Sequence, residues 1–260
     1  MLSLRADASR GGGNVGEGGL SSVRRYAEAT GYVLAELLWP TRCALCESPG
    51  SLLCERCRMS LAYIDLWKAC PRCGAPFGWR QCTECNGFAL ERMGLGELPY
   101  EACVSAVMFD DAAARIVRRF KDAGEQGLAS HIAFMVACSI PPGWLHSADA
   151  LTCVPATDAA RRRRGFDHCE LFARECARLL DLPFEGLLEP GRARDQRRLG
   201  RSGRLENAKG RFGALDACRG REVILVDDVL TTGATLLSAS ESLKRAGARS
   251  VRCASFARVY

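Results

Sequence analysis

The sequence predicts an α/β fold, a doubly wound and mostly parallel sheet, preceded by a small cysteine-rich metal module. Three observations predict it. From about residue 93 short apolar runs alternate with segments of helical periodicity, the pattern of successive βα units. Before that point eight cysteines fall into four C-x-x-C pairs, the spacing of metal-binding knuckles. Near the C-terminus the apolar run Val223-Ile224-Leu225-Val226 ends in two adjacent carboxylates, Asp227 and Asp228. Such a run suits a strand buried on both faces, and open α/β sheets hold ligands at the carboxyl ends of their strands.

The chain has 260 residues, enough for one ordinary domain and a smaller module. With 48% apolar and 25% charged residues, its composition is that of a soluble globular protein. The net charge of +6 suits anionic substrates or nucleic acid without choosing between them. No apolar run approaches the roughly 20 residues that span a bilayer, and the N-terminus lacks the apolar core of a secretory signal. A cytoplasmic location is therefore expected, with the 15 cysteines reduced rather than paired in disulfides.

Residues 1–24 are rich in Gly, Ser, Ala and Arg, without apolar periodicity, and read as a disordered tail. Gly11, Gly13 and Gly16 match G-x-G-x-x-G formally, but no strand precedes them and the match carries no weight. Tyr26, Ala29, Val33, Leu37 and Leu38 predict a short amphipathic helix stopped before Pro40. Residues 25–92 thus read as helix plus metal module, and residues 93–260 as the α/β domain.

The module's ligands are Cys43, Cys46, Cys54, Cys57, Cys70, Cys73, Cys82 and Cys85. Two knuckles make one tetrahedral zinc site, so eight thiolates make two. Sequential pairing joins pairs one and two, then three and four; cross-braced pairing joins one with three and two with four. Both are sterically open. The intervening segments are too poor in large apolar side chains to build a core without metal. The module also shows no dense basic patch with interleaved aromatics. Strands are expected at residues 102–109, 148–154, 223–226 and 250–259. Helices are expected at 111–121 and 127–140, around Leu171 to Leu180, and after Gly233. The seven remaining cysteines read as small buried hydrophobes.

The stretch Asp227-Asp228-Val229-Leu230-Thr231-Thr232-Gly233-Ala234-Thr235 carries the chemistry. Threonines and a glycine open a helix whose free N–H groups and positive dipole end form a phosphate cradle. Carboxylates cannot ligate phosphate, so the acidic pair serves hydroxyls or a metal ion. A phosphate with a diol nearby is a ribose phosphate. Two more segments face anions. Arg161-Arg162-Arg163-Arg164 stands between a strand and a helix, where guanidinium groups can grip pyrophosphate; Asp167 with Glu170 forms a capping box there. The second, from Arg194 to Asn207, is polar and long, and fits a lid.

The acidic pair with its Thr-Thr-Gly-x-Thr turn resembles the 5-phosphoribosyl-1-pyrophosphate (PRPP) signature of type I phosphoribosyltransferases. The segment order resembles the ComF family, named for bacterial competence and DNA uptake, over roughly residues 35–260. Phe120-Lys121-Asp122-Ala123-Gly124 echoes that family's Leu-Lys-x-x-Gly. Gln196, Leu199, Arg204, Asn207, Gly210 and Phe212 match its later run. Arg164-Gly165-Phe166-Asp167-His168 departs from it, with Asp and His where Asn and Gln are usual. The resemblance implies a type I phosphoribosyltransferase-like domain behind a double zinc ribbon, which favours the sequential pairing. It implies PRPP with Mg²⁺ on residues 227–235, with Lys121, Arg161 and Arg164 also PRPP-binding. Asp227, Asp228 and Arg204 would be catalytic. The expected reaction transfers a phosphoribosyl group to an unidentified acceptor and releases pyrophosphate, in the service of competence. The competing expectation is a non-catalytic accessory that senses PRPP and meets single-stranded DNA or competence helicase and processing proteins. A hydrolase built on Cys169 and His168 is the third reading, disfavoured because helical neighbours in sequence diverge.

Overall fold

The computed structural model describes residues 40–190 and 211–260. The expected tail over 1–24, the helix over 26–38 and the segment carrying Arg204 lie outside the described residues. The main sheet has four strands: β1 (Ala102–Met108), β2 (Ala150–Cys153), β5 (Glu222–Leu230) and β6 (Ser250–Arg258). Their order is β1-β6-β5-β2, and every pairing is parallel. A separate small sheet pairs β3 (Leu188–Pro190) antiparallel with β4 (Phe212–Ala214). Helices α1 (Glu55–Met59) and α2 (Gly87–Arg92) belong to the cysteine-rich module and its exit. The α/β part carries α3 (Asp111–Lys121), α4 (Leu128–Ser139), the short α5 (Pro142–Leu145), α6 (Asp158–Arg164), α7 (His168–Leu180) and α8 (Ala234–Arg245).

Strand alternation sorts the core into two layers. Ile224 and Val226 pack with Phe120 of α3, Ile132 of α4 and Phe172 of α7. Val223 and Leu225 pack with Leu236, Ala239 and Leu243 of α8. Helices therefore cover both faces, as the doubly wound expectation requires. Each helix has a local reason to form. In α3 Asp110 accepts from the Ala113 N–H, and Ile116, Val117 and Phe120 form a buried stripe. Arg118, Arg119 and Lys121 then face the negative end of its dipole. In α8 a stripe of Leu236, Ala239, Ser240 and Leu243 at helical spacing is buried, and Gly247 follows with φ +99°.

The structure differs from the sequence reading at three places that matter. Strand β5 runs on past Val226 through both carboxylates to Leu230, because β6 keeps pairing with it to Arg258 while β2 stops opposite Val226. The four arginines form a helix of their own, α6, capped by Thr157 and closed by Gly165 at φ +79°. The capping box at α7 is one-sided: Asp167 Oδ1 accepts from Glu170 N at 3.1 Å, but the Glu170 carboxylate turns to Arg174.

The module attaches through backbone as well as side chains. Ile64 N donates to Ala106 O at 3.0 Å and Met108 N to Ala62 O at 2.8 Å, so the chain extends the free edge of β1. Cys43, Leu53 and Leu61 join the core cluster of α3 and α4. Gly74, at φ +73°, lies so close that a Cβ there would come within 2.5 Å of the Cys103 carbonyl. Phe256, on central β6, is fully buried between these layers. Phe256→Ala should cost about 3–5 kcal/mol, measured by urea denaturation at saturating zinc; a loss below about 1 kcal/mol would contradict the packing described.

Candidate ribose-phosphate site and zinc centres

The cysteines gather into two tetrads, Cys43, Cys46, Cys54 and Cys57, and Cys70, Cys73, Cys82 and Cys85, each with its sulfurs within 4.8 Å of one another. This is the sequential pairing; the cross-braced alternative falls. Zn–S bonds of about 2.3 Å at tetrahedral angles place sulfurs roughly 3.8 Å apart. The separations of 3.7 Å for Cys46–Cys54 and 3.5 Å for Cys70–Cys85 and Cys73–Cys82 fit that geometry. Both tetrads therefore suit structural zinc. Of the other seven cysteines six are buried, and Cys138 is exposed.

At the end of β5 the alternation of faces breaks. Val226 and Val229 pack against the same cluster although they stand three positions apart, and Leu230 joins the opposite one. The two intervening carboxylates consequently converge: Cys169 Sγ lies 3.6 Å from Asp227 Oδ1 and 4.0 Å from Asp228 Oδ2. Asp227 Oδ1 also accepts from Asp228 N at 2.9 Å. Both residues are almost fully buried. Burial and the neighbouring Asp228 charge hold the Asp227 carboxyl well above the ordinary carboxylate range. For Asp228 burial works in the same direction, but the His168 hydrogen bond and the Lys121 charge outweigh it and hold that carboxyl low.

Asp228 is thereby the more readily ionised member, and its partners close a ring. Lys121, at the end of α3, pairs with Asp228 Oδ2. His168 Nε2 lies 2.9 Å from the same oxygen. Arg164 Nη1 donates to His168 Nδ1 at 3.2 Å, and because arginine only donates, the His168 proton sits on Nε2 and points at Asp228. Arg164 Nη2 reaches Asp122, next to Lys121, at 3.5 Å. Arg161 lies one turn away on α6, 3.5 Å from Asp167. Lys121, Arg161, Arg164 and the acidic pair are thus brought to one place. Arg204 lies outside the described residues. The sequence reading weighed His168 only in the disfavoured hydrolase and missed its role in the ring; the departure from the usual Gln at that position was the signal. Cys169 is fully buried and its thiol is pushed far up by that burial and by both carboxylates, so it remains protonated and the hydrolase reading loses its nucleophile.

The Thr231–Thr235 turn stands on the other side of the acidic pair. Gly233, at φ +76°, takes the N-cap position of α8, which has no side-chain cap. A Cβ on Gly233 would meet only ordinary contacts at 3.7 Å and 3.9 Å, so backbone conformation rather than space calls for glycine. Thr231, Thr232 and Ala234 are exposed. The uncapped end of a twelve-residue helix is thereby open to an anion.

Residues 167–259 match the phosphoribosyl transferase domain family, and residues 34–87 match the double zinc ribbon domain family. The chain thus pairs an N-terminal double zinc ribbon with an α/β fold of the phosphoribosyl transferase type. The transferase domain holds the acidic pair and the turn; the ribbon holds both tetrads. The DNA utilization protein YhgH of Escherichia coli K12 is 25% identical over 225 residues, covering 82% of this chain and 95% of its own. The protein of the same name from Salmonella typhi is also 25% identical, with the same coverage. These likenesses bear out the resemblance to the ComF family. Among solved structures, one described as the allosteric regulatory enzyme of purine biosynthesis is 21% identical with a TM-score of 0.38. It covers 50% of this chain, which spans only 25% of that one. A glutamine PRPP amidotransferase from B. subtilis is 22% identical with a TM-score of 0.36, covering 49% of this chain and 26% of its own. Among the described residues no helix is long and apolar enough to cross a membrane.

Wild-type protein should contain two zinc equivalents by atomic absorption. Replacing Cys70, Cys73, Cys82 and Cys85 together with serine should leave one. Cross-braced sites would leave none.

Proposed function

We propose that this protein binds PRPP and transfers its phosphoribosyl group to an acceptor, releasing pyrophosphate, as part of bacterial DNA uptake. The observation that carries this reading is the uncapped N-terminus of α8, opened by left-handed Gly233, beside a buried acidic pair. The 5′-phosphate lies on the backbone N–H groups and hydroxyls of Thr231 to Thr235. Asp227 and Asp228 receive the ribose 2′ and 3′ hydroxyls, which replace the partners that bury them in the free site. Lys121 exchanges Asp228 for the incoming pyrophosphate, which offers it more negative charge, and Arg161 and Arg164 join it from α6. Mg²⁺, carried in with PRPP, would supply further charge neutralisation to the departing pyrophosphate. The protein then needs no nucleophile of its own; it orients the sugar and stabilises charge as the bond to C1′ loosens. The relatives' name, DNA utilization protein, supports the biological context. A cytoplasmic site of action suits chains whose zinc thiolates must stay reduced.

A second reading is favoured by one surface. Trp67 is 91% exposed, and Phe77, Trp79 and Phe88, on the second ribbon and its exit helix, are exposed as well. Arg80 lies over Trp79 at 4.5 Å and Arg92 over Phe88 at 5.9 Å. The sequence reading saw no basic patch with interleaved aromatics; these two exposed arginine–aromatic pairs are what supports one. Such a platform suits single-stranded DNA, with stacking worth about 1–3 kcal/mol per base.

Calorimetry with PRPP and Mg²⁺ should show saturable binding to the wild type and at least about 100-fold weaker binding to the Asp227→Asn/Asp228→Asn variant, the loss expected when two ligand hydrogen bonds to charged groups go. Unchanged affinity would sink the assignment. Incubation with a panel of bases and amines, followed by pyrophosphate release, tests transfer. If DNA handling is the main role, single-stranded DNA binding should fall steeply with salt, weaken in Trp79→Ala and survive the double Asn variant. The absence of any binding at low salt removes this second reading.

A further inference from the structure

Arg258, the last residue of β6, meets the phosphate turn through its backbone and the second zinc ribbon through its side chain. Leu230 pairs with Arg258 in the last register of β5 with β6, and Val259 N donates to Leu230 O at 2.9 Å. Thr231, the first residue of the turn, follows directly. From the β1 side Phe109 N donates to Arg258 O at 2.7 Å. The end of β6 is thus the last ladder contact before the turn begins.

The Arg258 side chain is only 6% exposed. Its Nη1 donates to the Cys73 carbonyl at 2.7 Å, and its Nη2 pairs with Glu84. Its Nε has no hydrogen-bond partner among the described residues, so these two acceptors are what compensates a buried charge. Both belong to the metal loops of the second ribbon. Cys73 is itself a ligand, and Glu84 stands between the ligands Cys82 and Cys85. Those loops share only the small cluster of Cys70, Cys73, Ala75 and Cys85, and metal gives them their shape. The Phe77 ring also meets Tyr260, two residues beyond Arg258, edge-on at 6.2 Å. A cavity of about 450 Å³ is lined by both parts, Cys73 and Glu84 from the ribbon and Thr231 to Gly233 from the turn. Arg258 and Glu84 form its polar edge.

Emptying the second tetrad therefore reaches the turn through a short chain of contacts. Cys73 and Glu84 lose their fixed places, and the guanidinium loses both acceptors. A buried charge without partners is costly, so the end of β6 shifts to hydrate it. The Leu230 pairing then opens, and the turn loses the anchor from which it starts. A phosphate cradle needs several backbone N–H groups aimed at one point, and an unanchored turn aims them poorly.

Resting on the PRPP reading above, we infer that Arg258 and Glu84 form a strut through which zinc in the second ribbon holds the phosphate turn, so that zinc occupancy there sets the affinity for PRPP. Both are positioning residues, acting on the ligand through the turn. Coupling of this kind is reciprocal: PRPP tightens zinc in the second tetrad by the same factor that zinc tightens PRPP.

The test uses full-length protein with Mg²⁺ and PRPP. Glu84→Ala keeps all eight thiolates, so it should hold both zinc ions while PRPP affinity, by calorimetry, falls at least about fivefold. Amide hydrogen exchange in this variant should quicken over residues 229–235 and stay unchanged in α4. Cys82→Ser/Cys85→Ser, which empties the second tetrad and leaves the first, should lower PRPP affinity at least about tenfold. Adding Glu84→Ala to that variant should lower it less than about twofold further, because the strut is already lost. Chelator competition on the wild type should show the matching gain in zinc affinity at saturating PRPP. If the cysteine variant does not fold, the Glu84→Ala and chelator measurements decide alone. Glu84→Ala protein with both zinc ions and PRPP affinity within twofold of wild type, or zinc affinity unmoved by PRPP, overturns the strut and leaves the PRPP reading standing. Failure of wild-type protein to bind PRPP overturns both.

Discussion

Strand β5 is paired for unequal lengths on its two sides, and the functional end of the molecule depends on that inequality. It meets β2 only as far as Val226 but keeps β6 to Leu230. The four residues beyond Val226 are thus fixed in position on one side and released on the other. A strand held on both sides would bury its backbone in the sheet; a strand held on neither would not position a carboxylate within ångströms. The half-paired ledge also lets side-chain alternation break, so that Asp227 and Asp228 converge rather than face opposite layers.

Placing two carboxylates together in a nearly dry setting forces an uneven division of charge. The ring of Lys121, His168, Arg164 and Asp122 settles it in favour of Asp228. The ring links the end of α3, α6, the start of α7 and the ledge of β5, so the same contacts that make a buried charge tolerable also set four elements relative to one another. Breaking it by removing one partner leaves a buried charge exposed to its full desolvation cost. A ligand that brings hydroxyls to the carboxylates and negative charge to Lys121 replaces those contacts in kind.

The two zinc tetrads have the same ligands and different work. The first shares its core with α3 and α4, so its metal stiffens a layer that the α/β domain already builds. The second has only a cluster of its own, Cys70, Cys73, Ala75 and Cys85, and meets the sheet at Gly74 and Arg258. Metal is the main source of shape there. Its outer face carries the exposed aromatics and its inner face one wall of the cavity.

Much of this was legible in the residues because it is local. Four C-x-x-C pairs announce zinc at any tertiary arrangement, and the apolar run with its acidic pair and threonine turn announces a strand and a helix start. The helical stripe of α8 follows from spacing alone. What the sequence could not settle are relations between distant segments. Cysteine pairing, the ring through His168, the aromatic face of the second ribbon and the Arg258–Glu84 edge each join residues that no local period connects; Glu84 and Arg258 are 174 positions apart. Periodicity reports which side of an element turns inward, and it carries no information about which neighbour that side will meet. That choice belongs to the order and lengths of the strands, which only the packed sheet decides.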